Sequence, residues 1–289
     1  MIELLQASPA LWMTTVGLFS LLVGSFLNVV IHRLPLMMQA GWRQECRLLL
    51  ELPEQNAPAI SLLRPRSQCP GCSQPIAWYD NVPVLSYLML QGRCRRCGQR
   101  ISPRYPVVEL LTALLSVVVA WQLGFGLAGM SAIVLTWALV ALSGIDLDHQ
   151  LLPDSITLPA LWAGLLLSLA DGGVTPTEAI IGAAAGYLSL WLVFHGFRLL
   201  TGKEGMGHGD FKLLAVFGAW LGWESLPLII LLSSVVGAVM GGLLMASGAL
   251  RRDQPMPFGP FIAAAGWIAL LWGDAIWHTY LAFSGLQAG

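Results

Sequence analysis

The sequence reads Gly205-Met206-Gly207-His208-Gly209-Asp210-Phe211-Lys212 between two apolar segments, residues 178–200 and 211–223. Glycines at 205, 207 and 209 free the backbone to turn sharply and to approach another segment closely. A carboxylate at the edge of an apolar bundle is costly to ionise, so Asp210 is a candidate functional residue. An alternative interpretation is a glycine-rich turn in which Asp210 caps a helix that begins at Phe211.

The composition indicates a membrane protein. Of 289 residues, 56% are hydrophobic and only 11% are charged, whereas a soluble domain carries roughly 25% charged residues. The predicted fold class is therefore an all-α polytopic membrane protein with about eight transmembrane helices. The predicted apolar segments are residues 11–31, 107–123, 130–145, 156–170, 178–200, 211–223, 227–250 and 258–277. The sixth segment is short for a bilayer and is expected either to tilt into a thinned region or to continue past Glu224.

The basic residues predict the topology. Ten of the fifteen Lys and Arg lie in residues 33–104 together with four acids, which gives this section a net charge of +6. Short basic loops stay in the cytoplasm, so both termini are predicted to be periplasmic. With eight spans, residues 146–154, 201–210 and Arg251-Arg252 then also fall on the cytoplasmic side. The predicted domains are a first transmembrane helix in residues 1–32, a cytoplasmic domain in residues 33–104 and seven membrane helices in residues 105–289.

The cytoplasmic section contains two CxxC pairs, Cys69-Pro-Gly-Cys72 and Cys94-Arg-Arg-Cys97. Two such turns facing each other form a tetrahedral thiolate site, so we predict a structural zinc ion in a small zinc-ribbon-like domain. The alternatives are reduced structural cysteines or two disulfides, and a cytoplasmic location argues against disulfides. Cys46 is left over and is expected to be a free thiol.

Three arginines near the second pair, Arg93, Arg95 and Arg96, raise the question of nucleic acid. A solvated face beside anionic lipid headgroups is the preferred interpretation, and no nucleic-acid partner is expected. Small and amide residues late in the first span, Ser25 and Asn28, indicate close helix packing. Glu109 lies in the first turn of the second span, where the helix dipole favours it without any catalytic role.

A second acidic stretch follows the third span and reads Ile145-Asp146-Leu147-Asp148-His149-Gln150-Leu151-Leu152-Pro153-Asp154. Asp148 and His149 are interpreted as solvated interface residues, and Asp154 as a possible helix cap. Asp146 is closest to the helix end and is the acid expected to be desolvated. If helix packing brings Asp146 and Asp210 together, the two carboxylates cannot both ionise easily and share a proton. Such a pair can activate water for peptide hydrolysis, one carboxylate taking the water's proton and the other polarising the carbonyl.

The motifs resemble those of the bacterial type IV prepilin peptidases across essentially the whole chain. The resemblance includes residues 24–35, both CxxC pairs, residues 104–109, residues 145–154 and residues 201–212, in which Gly207-His208-Gly209-Asp210 is similar to the GxGD signature of membrane aspartyl peptidases. It implies that Asp146 and Asp210 are catalytic. Asp146 is preferred over Asp148 because the family places the first aspartate seven residues before a proline, here Pro153.

The resemblance also implies the substrates and a second activity. The family cleaves prepilins and pseudopilins after a glycine on the cytoplasmic face of the bacterial inner membrane. Members with the cysteine loop then methylate the new N-terminal residue, usually Phe, with S-adenosylmethionine. No nucleotide fingerprint marks the donor site, which we expect in the cytoplasmic loop by elimination.

Two other classes of function remain open at this point. A proton- or cation-coupled transporter would place its acids near mid-bilayer, on broken helices in paired halves. A non-enzymatic assembly factor would use the zinc loop for docking and would tolerate Asn at both Asp146 and Asp210. No zinc-protease HExxH or serine-hydrolase GxSxG motif occurs in the sequence.

Overall fold

The computed structural model describes residues 2–53, 60–170, 173–203, 205–248 and 256–284. These residues are largely α-helical, and their β structure is limited to two isolated bridges, Gln68 with Pro75 and Arg93 with Arg100. The all-α fold class is therefore confirmed. The helices are α1 (Ile2–Ala7), α2 (Pro9–Leu49), α3 (Leu85–Met89), α4 (Arg104–Leu123), α5 (Leu127–His149), α6 (Asp154–Leu167), α7 (Pro176–Thr201), α8 (His208–Leu221), α9 (Leu226–Ala246) and α10 (Gly259–Ser284).

Six helices in the described part of the chain are long and apolar enough to cross a membrane, namely α2, α4, α5, α7, α9 and α10. The other two helices that match predicted apolar segments, α6 and α8, have 14 residues each. Each of the predicted apolar segments thus corresponds to a helix, and the chain is a membrane protein. The predicted cytoplasmic pair Arg251-Arg252, Glu204 just before the glycine-rich motif and residues 171–172 of the link before α7 lie outside the described residues.

The first long helix extends further than the sequence predicted. Helix α2 continues through Pro35 to Leu49, whereas the predicted span ended at residue 31. The residues after Pro35 are Leu, Met, Met, Gln and Ala, all strong helix formers that carry the helix past the proline. The division into domains at residues 32 and 104 stays a prediction.

The chain forms two compact units, Met1–Ala141 and Leu142–Gly289, and α5 contributes residues to both. In the first unit, α2 packs closely against α4. A Cβ atom on Gly24 would lie 2.8 Å from Cα of Glu109, so only glycine permits this approach. The side-chain amide of Asn28 donates to the carbonyl oxygens of Gly24 at 3.2 Å and Tyr105 at 3.1 Å. These contacts confirm the predicted packing role of this part of the helix.

Glu109 fixes a loop to α4. Its side chain is only 7% exposed, and its carboxylate accepts the backbone N–H of Val84 at 2.8 Å and a hydrogen bond from Ser25. Val84 directly precedes α3 and has a φ of 60°, a rare conformation for a β-branched residue. The hydrogen bond to Glu109 helps to hold that strained residue, so these contacts are structural.

Helix α8 lies at the centre of the second unit. Seven consecutive residues of α8, 213–219, are buried. Glycines of α7 permit the closest contacts: a Cβ on Gly182 would lie 2.2 Å from the carbonyl oxygen of Gly218, and one on Gly186 would lie 2.7 Å from that of Leu214. Because α8 is enclosed by protein, it does not need the length of a lipid-facing span. It ends at Leu221, and Gly222 with a φ of 77° breaks the helix, so the segment does not continue past Glu224.

Candidate active site and metal site

The first candidate acid, Asp146, lies in the last turn of α5. Its side chain is 5% exposed. Its Oδ2 atom accepts the backbone N–H of Gly259, the first residue of α10, at 2.9 Å. A buried carboxylate requires hydrogen-bond donors to offset its lost hydration, and this backbone amide supplies one.

The second candidate acid, Asp210, lies in the first turn of α8 and is 6% exposed. The helix begins at His208, and Gly207 occupies the capping position in an extended conformation. The alternative in which Asp210 caps a helix starting at Phe211 is therefore wrong, because Asp210 is already inside the helix. Its carboxylate is hydrogen-bonded by the backbone of Gly207 and interacts electrostatically with Asp146. The fold thus brings together the two aspartates that the sequence singled out.

The neighbouring acids have other environments. Asp148 is exposed on the same turn of α5 that buries Asp146. Asp154 is the first residue of α6, with Pro153 at the capping position and no capping hydrogen bond from a side chain. Asp154 is therefore not the cap that the sequence suggested. Instead its carboxylate pairs with the Lys212 ammonium at 2.6 and 2.8 Å, which links the start of α6 to α8.

Leu152 lies where three segments of the site meet. A Cβ atom on Gly209 would lie 2.7 Å from Cβ of Leu152, and one on Gly259 would lie 3.2 Å from its Cδ2. The loop after α5 therefore contacts the N-terminal ends of both α8 and α10. This contact explains why glycine precedes Asp210, since any larger residue there would displace Leu152.

The four predicted cysteine ligands lie together in the first unit. The sulfur atoms of Cys69, Cys72, Cys94 and Cys97 are all within 4.8 Å of one another, and none of these cysteines forms a disulfide. The Sγ atoms of Cys69 and Cys97 are 3.7 Å apart, close to the about 3.8 Å expected between ligands of a tetrahedral zinc ion with Zn–S bonds of about 2.3 Å. The cluster is therefore compatible with zinc.

The two cysteine turns have the same backbone geometry. The N–H groups of Cys69 and Cys94 donate to the carbonyl oxygens five residues ahead, at 3.0 and 2.8 Å. Hydrogen bonds from the backbone of Cys97 and Arg96 lower the pKa of the Cys94 thiol to about 6. A backbone hydrogen bond from Gln99 lowers the pKa of the Cys97 thiol, but desolvation and hydrogen bonds with the other cysteines outweigh it and raise that pKa to about 11. Cys46, by contrast, is exposed on α2 as a free cysteine, as predicted.

Two of the three arginines near the second pair make contacts inside this region. Arg95 donates to the Asp80 carboxylate at 2.7 Å and lies over the Tyr79 ring. Arg96 donates to the side-chain oxygen of Gln74 at 3.1 Å, which connects the two cysteine turns. These two arginines therefore contribute contacts to the fold around the cysteines.

Sequence reasoning missed Gly259 as a part of the site. The Pro257-Phe258-Gly259-Pro260 stretch is a recognisable start for a helix. Its pairing with a carboxylate 113 residues away depends on tertiary packing. The two prolines and the glycine indicate where a helix starts, but they do not reveal that Gly259 donates a hydrogen bond to Asp146.

Comparisons with known proteins agree with these motifs. The family described as "Bacterial Peptidase A24 N-terminal domain" matches residues 18–123, and the "Type IV leader peptidase family" matches residues 133–242. A relative from Aeromonas hydrophila is 55% identical over 97% of this chain and 98% of its own length. Relatives from Stutzerimonas stutzeri and Pseudomonas aeruginosa are each 51% identical over 99% of both chains. All three are named prepilin leader peptidase/N-methyltransferase, and no solved structure shows a significant match.

The fold and the two buried carboxylates define a membrane protein with an acidic site at the ends of two helices. The two family matches and the near full-length relatives define its membership: the chain belongs to the type IV leader peptidase family.

Proposed function

We propose that the chain is a prepilin peptidase that removes the leader of type IV prepilins and type II secretion pseudopilins and then N-methylates the new N-terminus. The observation that carries the peptidase activity is the pair of buried aspartates, Asp146 and Asp210, in which the Asp146 charge acts on the Asp210 carboxylate. The names of the relatives support both activities. Cleavage follows a glycine, and the residue that becomes N-terminal is usually Phe.

Peptide hydrolysis needs a base and an acid on opposite sides of the reacting water and carbonyl. Asp146 and Asp210 sharing one proton provide both. The ionised carboxylate takes a proton from water, which attacks the peptide carbonyl, while the protonated partner donates to the carbonyl oxygen. The C–N bond of the tetrahedral intermediate then breaks as the departing amine takes a proton from the pair. One hydroxyl of the intermediate returns its proton to the ionised carboxylate and becomes the carbonyl of the new carboxyl group, so the pair again holds one proton. Burial of both acids excludes bulk water and strengthens these interactions.

Zinc and S-adenosylmethionine are the proposed cofactors. Cys69, Cys72, Cys94 and Cys97 would hold the zinc ion, and four thiolates leave it no open position for catalysis. Its role is therefore to stabilise the loop between α2 and α4. S-adenosylmethionine supplies the methyl group for the second reaction, for which the cytoplasmic loop remains the proposed location.

We place the protein in the bacterial inner membrane with its acidic site and its zinc loop on the cytoplasmic side. The concentration of basic residues in residues 33–104 supports this orientation. The exposed thiol of Cys46 offers a test, because a membrane-impermeant maleimide should label it in inside-out vesicles and not in intact cells. Labelling in intact cells would place Cys46 on the periplasmic side and contradict the proposed orientation.

The activity test uses the purified protein in detergent with a synthetic prepilin-like peptide, which has a basic leader, glycine, Phe and an apolar helix. Mass spectrometry should detect loss of the leader, and a further methyl mass when S-adenosylmethionine is present. Leader loss without the methyl mass would refute the second activity. A folded protein that leaves the peptide intact would refute the peptidase proposal and favour a transporter or a scaffold.

A further inference from the structure

The start of α10 is directly connected to the candidate active site. The backbone N–H of Gly259 donates to Oδ2 of Asp146 at 2.9 Å, and the bond is buried. The first N–H groups of a helix have no partner within the helix. Here one of these donors is paired with the buried Asp146 carboxylate, so each group satisfies the other.

Glycine at position 259 leaves room for this contact. A Cβ atom at position 259 would lie 2.7 Å from Oδ2 and 3.2 Å from Cγ of Asp146. It would also lie 3.2 Å from Cδ2 of Leu152. A larger residue at position 259 must therefore push the carboxylate away, even though the backbone N–H itself would remain.

The donor is held in place by α9. The aromatic rings of Phe258 and Phe261 lie over Gly237, where a Cβ atom would be 3.3 and 3.6 Å from them. The carbonyl oxygen of Phe258 accepts the N–H groups of Phe261 and Ile262, at 3.0 and 3.2 Å, and so begins the helix. Packing on one side and helix hydrogen bonds on the other thus fix the direction of the Gly259 N–H.

We propose that the backbone N–H of Gly259 is a positioning group for the aspartate pair. It holds Oδ2 of Asp146 as a permanent acceptor and leaves Oδ1 as the oxygen that exchanges protons with the attacking water or with Asp210. The inference rests on the proposed peptidase function and adds an orientation for one of its two acids. In this role Gly259 contacts neither substrate nor water and acts only through Asp146.

The activity test compares Gly259→Ala with Gly273→Ala, a substitution in the same helix that meets nothing within 4 Å. Displacing a catalytic group by about 1 Å can cost about 100-fold in rate, so Gly259→Ala should lower kcat by about that factor and leave KM close to wild type. Gly273→Ala should retain wild-type kcat. Wild-type kcat in Gly259→Ala, or a change confined to KM, would overturn the inference.

A double variant separates the two contacts of the added methyl group. Leu152→Ala removes the Cδ2 atom that the new Cβ would meet but does not relieve the contact with Asp146. Gly259→Ala/Leu152→Ala should therefore stay as slow as Gly259→Ala. Recovery of kcat in the double variant would show that Leu152 packing, not the carboxylate, accounted for the loss.

Hydrogen exchange tests the contact without relying on activity. Residues 257–260 contain only two exchangeable backbone amides, those of Phe258 and Gly259, because the other two residues are prolines. Replacing Asp146 by Ala removes the acceptor, so the Gly259 amide should exchange about tenfold faster or more.

If the Gly259 amide exchanges at the same rate in Asp146→Ala as in an active wild type, the inference about Gly259 is refuted but the proposed peptidase function is not. A folded wild type that cleaves no prepilin-like peptide would instead refute the proposed function on which it rests.

Discussion

The contact between α7 and α8 can be tested by adding one methyl group at Gly182. A Cβ at this position would lie 2.2 Å from the carbonyl oxygen of Gly218, whereas ordinary van der Waals contact begins near 3.4 Å. The obstructing atoms belong to the backbone of α8, so no side chain can rotate away. The two helices must separate locally by about 1.2 Å, and α8 carries Asp210.

Two opposing effects set the size of the change. Overpacking costs typically 1–3 kcal/mol, and the upper end of about 3 kcal/mol is expected because both surfaces are backbone. Replacing a helical glycine by alanine stabilises the helix by about 1 kcal/mol, because alanine has the higher helix propensity. The net loss of about 2 kcal/mol corresponds to about 30-fold in the ratio of folded to unfolded protein. It should lower Tm by on the order of 4–8 °C.

The assay is thermal unfolding of Gly182→Ala in detergent, followed by circular dichroism. The matched control is Gly196→Ala, which is on the same helix and meets nothing within 4 Å. The control should keep or slightly raise Tm, because only the propensity gain applies. Equal Tm values for the two variants would refute the close backbone contact between α7 and α8.

Two further predictions concern the metal site and the choice of aspartate. Zinc should be present at one ion per chain and should be lost when Cys72 and Cys97 are both replaced by Ser, as measured by elemental analysis; metal-free wild-type protein with full activity would argue against a structural zinc ion. Asp148→Asn should reduce peptide cleavage far less than Asp146→Asn, because Asp148 is exposed and Asp146 is buried. The reverse order in a mass-spectrometric cleavage assay would show that the wrong carboxylate had been chosen.

Much of the fold was predictable because it depends on local patterns. Long apolar segments indicated the helices, and the spacing of the two CxxC pairs predicted a cluster that the structure brings together. The length of α2 was not predicted, since a proline in a helix often marks its end, and here strong helix formers after Pro35 carried it on. The shortness of α8 became understandable only when its burial among other helices was known.

In the candidate site, too, the features set by local sequence were predictable and those set by tertiary packing were not. Asp146 and Asp210 were identifiable from the acidic and glycine-rich stretches around them. The hydrogen bond from Gly259 and the contact of Leu152 with Gly209 were not, because each depends on helix ends that tertiary packing brings together. Sequence motifs therefore indicated the two acids, while the packing around them revealed a backbone donor to one of them.

The aspartate pair is best tested by cleavage of a prepilin-like peptide by wild type, Asp146→Asn and Asp210→Asn, each purified in detergent and followed by mass spectrometry. We expect wild type to remove the leader and neither variant to do so, while both variants remain folded and inserted. Asn keeps the size of Asp but cannot take or give the proton that the pair must exchange. Leader removal by either folded variant at the wild-type rate would contradict the aspartate pair.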